Sequence, residues 1–206
     1  MIRNLRYLST AGVAAMWIAM AQPASADIII VPPVPADIKV PAGHSVFMKG
    51  NAAGTQNYIC LPSATGFGWK LFGPQATLFL TFKLFNIEAK QQIMTHYLSA
   101  NPDESETPRP TWQSSLDTSA IWGKAVVPSS DPAYVAAGAI PWLLVEVVGS
   151  EPGPTGGTMM TPAKFIQRVN TTGGSAPATG CSLETNVGAT TLVPYTADYY
   201  FFKAGN

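Results

Sequence analysis

From Ser45 to Lys203 the chain is a succession of about ten short runs, and this rhythm constrains the fold more than any other feature. The runs are SVFMKGNA, TQNYICL, FGWKLF, ATLFLTF, QIMTHYL, TWQSS, AIWGKAVV, IPWLLVEVV, KFIQRVN and DYYFFK. Each is rich in β-branched or aromatic residues and ends at Gly, Pro, Asn or Ser, the pattern of strands separated by turns. Alternation is clearest in KFIQRVN, where Phe165, Gln167 and Val169 point to one face and Lys164, Ile166 and Arg168 to the other. No long stretch repeats apolar residues at helical spacing, and 18 Gly and 18 Pro disfavour long helices. The one helical candidate is a turn or two over Asn86 to Met94. Short strands at this spacing predict an all-β, single-domain body, either a jelly-roll-like antiparallel β-sandwich or a barrel.

The ends of the chain follow other rules. Arg3 and Arg6 precede an apolar run from Ala11 to Met20, and Ala24-Ser25-Ala26 fits a small-x-small cleavage site, so residues 1–26 are expected to be a secretory signal peptide. Residues 27–43, DIIIVPPVPADIKVPAG, contain four prolines and are expected to form an extended Pro-rich arm strapped onto a β-rich domain, 44–206. With no cysteine at the cleavage site and no apolar tail after Phe202, no lipid or C-terminal anchor is expected. The predicted location is therefore exported, periplasmic or extracellular.

Export bears on the two cysteines, because disulfides persist in that compartment. Cys60 and Cys181 are predicted to pair, the alternative being two buried thiols. Such a bridge removes about 4 to 5 kcal/mol of unfolded-chain entropy in the loop-closure picture. The apolar stretch Tyr134 to Val148 carries Pro141 and Glu146 and falls short of the roughly 20 residues that a spanning helix needs, so it reads as a buried strand. No integral membrane segment is expected in the mature chain.

Without Arg3 and Arg6, 10 basic residues face 12 acidic ones, and no basic cluster suits a phosphate backbone. Nucleic acid is thus excluded as a partner, while a small molecule or glycan fits; nothing in the pattern sets an oligomeric state. Two loops interrupt the rhythm and are expected at the mobile surface: Ser99 to Pro110, acidic and proline-punctuated, and Ser150 to Pro162, rich in Gly, Pro and Thr.

Residues able to carry chemistry are few. His44 and His96 are the only histidines, too few for a zinc set without distant carboxylates, so no metal site and no cofactor are predicted. Neither G-x-S-x-G nor a phosphate-cradling glycine motif occurs, and paired cysteines offer no thiolate. Glu88, Asp117, Glu146 and Asp198 lie in or beside strand-like runs, but spacing does not place any two together as a hydrolytic pair. The expected partner of Arg168 is Asp198. Asn170-Thr171-Thr172 is a glycosylation sequon for hosts that modify exported chains. Trp69, Trp122, Trp142 and at least one of Tyr199 and Tyr200 are expected in the core, whereas Trp112, after the proline-rich loop, is expected to line a groove.

Seven segments then form a recognisable set: Tyr58-Ile59-Cys60; Trp69 with Pro74 to Leu78; His96-Tyr97; Pro110-Thr111-Trp112; Ile140 to Leu144; Ile166 to Thr171 with Gly173-Gly174 and Cys181; and Pro194 to Phe201. Their order along nearly the whole mature chain resembles the secreted bacterial and fungal family catalogued as domain of unknown function 3455. That resemblance brings no established activity with it. The family's short link between His-Tyr and Pro-Thr-Trp is lengthened here by SANPDESETPR, which would separate His96 from Trp112.

The resulting expectation is an exported protein that binds a small ligand, glycan or envelope component without catalysis, using His96, Tyr97, Trp112 and Arg168. No catalytic residue is assigned. The alternatives are a secreted hydrolytic or metal-assisted enzyme built on His96 and nearby carboxylates, and a structural envelope protein.

Overall fold

The computed structural model describes residues 28–85 and 87–205; the expected signal peptide, 1–26, lies outside them. Eight strands make the body: β1 (His44–Ser63), β2 (Gly66–Leu84), β3 (Ile87–Asn101), β4 (Thr107–Ser114), β5 (Ala120–Ser129), β6 (Trp142–Glu151), β7 (Ala163–Gly173) and β8 (Thr190–Ala204). Each pairs antiparallel with the next and β1 pairs with β8, so the sheet closes on itself. Of the two architectures anticipated, the barrel is the one formed. Closure removes the sheet edges that a sandwich would have to protect.

Ten runs become eight strands because two apparent turns are bridged. SVFMKGNA and TQNYICL are one strand, β1, and FGWKLF and ATLFLTF are another, β2. The glycines between the runs serve close approach rather than reversal: a Cβ on Gly54 would sit 2.2 Å from the Gln75 carbonyl oxygen. The helical candidate fails too. Ile87–Asn101 is strand β3, pairing from Leu84↔Ile87 through Ala76↔His96, so tertiary ladder bonds override a weak local signal. Of the stretch read as one buried strand, only Trp142 onward is strand; Tyr134 to Pro141 precede it as turns and irregular backbone.

Inside the barrel, inward residues of successive strands meet in one cluster that includes Ala52, Leu78, Met94, Trp112, Ile121, Val145, Ile166, Tyr199 and Phe201. A second cluster lies on the outside of β6, β7 and β8, where Trp142, Leu144, Val169, Tyr200 and Phe202 would otherwise face water. Residues 28–43 form no strand; Ile29, Val31, Val34 and Val40 pack on this outer cluster, and Ile38, in a short 3-10 turn over Ala36–Ile38, is fully buried in it. Gln167 secures the segment by donating Nε2–H to the Ile38 carbonyl at 2.7 Å. Tyr199 and Tyr200 therefore bury on opposite sides of one strand, as adjacent residues must.

Both inserted loops are more tightly held than a surface position implies. The 152–162 loop closes one end of the barrel by burying Met160 in the interior cluster. Asp117, in the β4–β5 turn, anchors it: Asp117 Oδ2 accepts from Met159 N–H at 2.8 Å, and Ser119 Oγ, itself bonded to Asp117 Oδ1 at 2.7 Å, accepts from Met160 N–H at 3.0 Å. Burial would raise the Asp117 carboxyl, but Met159 N–H, the Ser119 hydroxyl and amide, and Ser114 together hold it down at about 2. Gly153 and Gly157 make room, since a Cβ on either would run into Asp117 at 1.9 and 2.4 Å.

The Ser99–Pro110 insertion is absorbed as a longer β3–β4 hairpin, with Asn101↔Thr107 its last pair before a 3-10 turn over Pro102–Glu104. Arg109 clamps Glu104 at 2.7 Å across it. At the barrel's other end Cys60 and Cys181 are bonded, with Cα atoms 5.5 Å apart, tying the β7–β8 connection to β1. Cys60 N–H donates to Ala189 O and Gly188 N–H to Cys60 O, while Trp69 donates Nε1–H to Thr179 O. Trp69 is thus half-buried under this loop, while Trp122 and Trp142 are buried outright.

Candidate functional site

The barrel interior changes character along its axis. The end closed by Met160 is lined by Met94, Ile121, Ile166 and Phe201. Toward the opposite end the inward positions become His96, Trp112, Tyr199, Arg168, Gln56, Tyr58 and Tyr195, polar or amphipathic residues from five strands. The hairpin extension leaves His96 and Trp112 as direct cross-strand partners, because the inserted residues lie beyond them rather than between them.

Their rings stack with centroids 4.1 Å apart and planes 12° from parallel, and both present an edge contact to Tyr199, at 5.4 Å from His96 and 5.7 Å from Trp112. The indole fits because the facing strand carries Gly123: a Cβ there would lie 2.8 Å from Trp112 Cζ3 and 2.5 Å from Val145 Cγ1. Trp112, expected at a groove, is instead 2 % exposed, since the alternation of β4 turns it inward. His96 is 3 % exposed and donates Nδ1–H to the Thr111 carbonyl at 2.8 Å. Burial lowers its pKa to about 3, outweighing the opposing Thr111 bond, and Arg168 pushes the same way. A base titrating so low is poorly matched to proton transfer near neutrality.

Arg168 also points inward, between Leu143 and Tyr199 in the ladder. The anticipated ion pair with Asp198 does not form, and the register gives the reason: Asp198 pairs with Val169, one position on, so its side chain leaves the opposite face. Outside, Lys49 lies 3.2 Å from Asp198, and Asn51 and Asn170 donate to its two oxygens. Inside, Arg168 Nη2 donates to the Pro141 carbonyl at 2.9 Å and Nε has no partner among the described residues. Arg168 lowers the pKa of His96 and partly offsets the burial-driven rise of Tyr58 and Tyr195, which places its charge among them.

Three neighbours, Gln56, Tyr195 and Tyr58, join the site beyond the residues that the sequence points to. Gln56 is 2 % exposed; its Nε2 lies beside the Tyr195 hydroxyl and lowers that group's pKa, but finds no acceptor of full hydrogen-bond geometry among the described residues, and its Cγ is 3.2 Å from where a Cβ on Gly174 would sit. Tyr195 packs against that same point, at 2.9 Å, and meets Tyr199 O–H to O–H at 3.3 Å. Gly174, at φ +83°, can adopt this backbone and leave room for both because it has no side chain. Tyr58 donates its O–H to the Gly174 carbonyl at 2.7 Å. The available signal was the alternation of TQNYICL, which puts Gln56, Tyr58 and Cys60 on one face. Tyr97 does not join the set: it faces outward and donates to Gln113 Oε1 at 3.1 Å.

On the outer wall, β2 pairs with β1 only up to Asn51↔Phe79, and a cleft of about 580 Å³ opens beside that point, lined by Lys49, Asn51, Phe79, Thr81, Glu88, Lys90 and Asp198 among others. Its two acids are already engaged, Asp198 as described and Glu88 with Lys90 at 3.6 Å. Among the described residues no group of three or more His, Cys, Asp or Glu side chains is placed to hold a metal ion, and no helix is long and apolar enough to cross a membrane.

The model of the family described as "Protein of unknown function (DUF3455)" matches residues 41–203. No curated protein and no solved structure matches the chain.

Proposed function

The chain belongs to the DUF3455 family, and from that premise we propose that it is an exported binding protein that takes a small ligand at the polar end of its barrel, by recognition rather than catalysis. The carrying observation is a shortage of partners. Buried polar atoms in folded proteins are hydrogen-bonded with few exceptions, yet Arg168 Nε, Gln56 Nε2 and Trp112 Nε1 all face the interior of one barrel without an acceptor. Polar groups that gather among aromatic rings are the usual furnishing of a ligand site, and an eight-stranded barrel is wide enough either to be filled by its own side chains or to hold one small ligand. Export is supported by the basic and apolar leader in the sequence and by the Cys60–Cys181 bond.

Thermal-shift measurements on the mature protein, against a panel of glycans and small metabolites, test the reading. At least one compound should raise the melting temperature of the wild type, and Trp112→Phe or Arg168→Met should abolish that rise. A panel in which no compound moves the wild-type transition, or in which both variants respond as the wild type does, overturns it. Export is checked separately by sequencing the N-terminus of secreted protein, which should begin at Asp27.

A further inference from the structure

We propose that the ligand taken at this end of the barrel is a small anion, a carboxylate or a tetrahedral oxyanion, bound by Arg168 and Gln56 with Trp112 at its deep side. The proposal rests on the binding reading above and adds the chemical class. It follows from what the unpartnered atoms have in common. On the inner face of the barrel, the buried side-chain atoms lacking a partner among the described residues are all N–H donors: Arg168 Nε, Gln56 Nε2 and Trp112 Nε1. The missing group must therefore supply lone pairs.

Charge narrows the class further. Among the described residues no carboxylate lies within ion-pair distance of Arg168, and Asp198, the acid nearest in register, faces the outer wall with both oxygens taken. The one protein acceptor on Arg168 is the Pro141 carbonyl, which is neutral. Arg168 is half-buried, so its guanidinium is only partly solvated, and an anion seated at the unpartnered Nε would supply the missing counter-charge. Its planar fork also matches a carboxylate or phosphate with two parallel bonds, and the Pro141 bond uses only Nη2.

The surrounding groups do not supply the negative charge themselves. Tyr195 is held as the phenol by burial and by Tyr199, Tyr58 donates its hydroxyl to Gly174, and His96 is neutral under ordinary conditions. Water can reach the half-buried Arg168 but brings no negative charge, and an anion in its place would gain a charge-assisted pair. A neutral sugar would do the same while bringing donors of its own against donors.

Isothermal titration of the wild-type protein with acetate, succinate and inorganic phosphate, at constant ionic strength in chloride, is the direct test, with glucose and N-acetylglucosamine as neutral controls. One of the anions should bind, and the affinity should fall about 10- to 100-fold in Arg168→Gln, the scale of a lost charge-assisted bond, and less in Gln56→Leu. Should Arg168→Gln fail to fold, nitrogen-15 NMR of the wild type gives the same information: the Arg168 Nε–H and Trp112 indole signals should move on titration.

Binding of a neutral sugar with those signals moving, while the anions leave them still, overturns the anion inference and keeps the binding reading. Anion binding that is unchanged in Arg168→Gln, or that shifts only lysine signals, shows an adventitious surface ion and also overturns the inference. No binding by any member of the set, in the presence of intact folding, overturns it as well.

Discussion

His96 makes the stability of this barrel sensitive to mild acid, and the size of the effect follows from its burial. In the unfolded chain the imidazole titrates near 6.5; in the folded barrel it takes a proton only at about 3. Between those values the unfolded state binds one more proton than the native state, so stability falls as pH falls, by about 1.36 kcal/mol per unit. The sign follows from the direction of the shift: a histidine whose folded pKa is depressed penalises the native state below its unfolded pKa and is without effect above it. From pH 7.5 to pH 5 the loss is about 2 kcal/mol, since titration begins near 6.5 and one and a half units then separate it from pH 5.

That window is chosen because ordinary carboxylates, at about 3.9 to 4.3, stay largely ionised across it and contribute little. Urea midpoints of the wild type and of His96→Gln, taken at half-unit steps, measure the difference. The substitution removes the ring stack on Trp112 and lowers stability at every pH, but its plot of stability against pH should be flatter than the wild type's by about 2 kcal/mol over the window. Parallel plots would refute the argument, because they would mean that the imidazole is solvated or protonated in the native state.

Three other perturbations probe how the barrel is held. Replacing Cys60 and Cys181 by serine opens a bridge that spans 121 residues and should lower stability by about 4 to 5 kcal/mol in urea, with the Cys60 and Gly188 amides, which bond across to Ala189 and Cys60, losing protection first. Asp117→Ala removes the acceptors of Met159 N–H and Ser119, so hydrogen exchange at Met159 and Met160 should speed up while the β1–β8 ladder keeps its rate. Ile38→Ala vacates a fully buried position against Trp142 and Tyr200 and should lower stability by about 2 to 5 kcal/mol by chemical denaturation; a change under about 0.5 kcal/mol would show that the 28–43 segment does not hold the outer cluster.

The β character of the chain was legible because its signal is local. Residue type and a period of two say that KFIQRVN is a strand and that Arg168 and Val169 take opposite faces, and both statements hold in the barrel. Strand number was less legible, since a glycine inside a strand and a glycine in a turn look the same until the neighbouring backbone is known: Gly54 gives space to Gln75 and Ala76, something no window of β1 alone contains. The Asn86–Met94 segment was ambiguous for a related reason. Its pairing with β2 comes from a hairpin partner, which a helical count within the segment does not see.

The site required register, which is the quantity that sequence spacing leaves open. Arg168 and Asp198 were paired in expectation as opposite charges on neighbouring strands, and they are neighbours; a single position of offset sends one into the barrel and the other to Lys49. The same offset explains why the inner charge has no carboxylate partner among the described residues while the outer one has three partners. It also separates His96 from Tyr97, adjacent in sequence, so that one stacks on Trp112 within the barrel and the other meets Gln113 outside. Conversely, the insertion that was expected to part His96 from Trp112 does not, because an antiparallel hairpin lengthens at its tip without altering pairs below it. A hairpin insertion is therefore neutral toward residues nearer the barrel, whereas one extra residue within β7 or β8 between the paired positions would turn Arg168 or Asp198 to the other face. Such a single-residue insertion before Arg168, within the Ile166–Val169 run, should expose the guanidinium and bring it beside Asp198 on the outer wall, detectable as loss of the Arg168 field on Tyr58 and so a higher Tyr58 titration point in the ultraviolet.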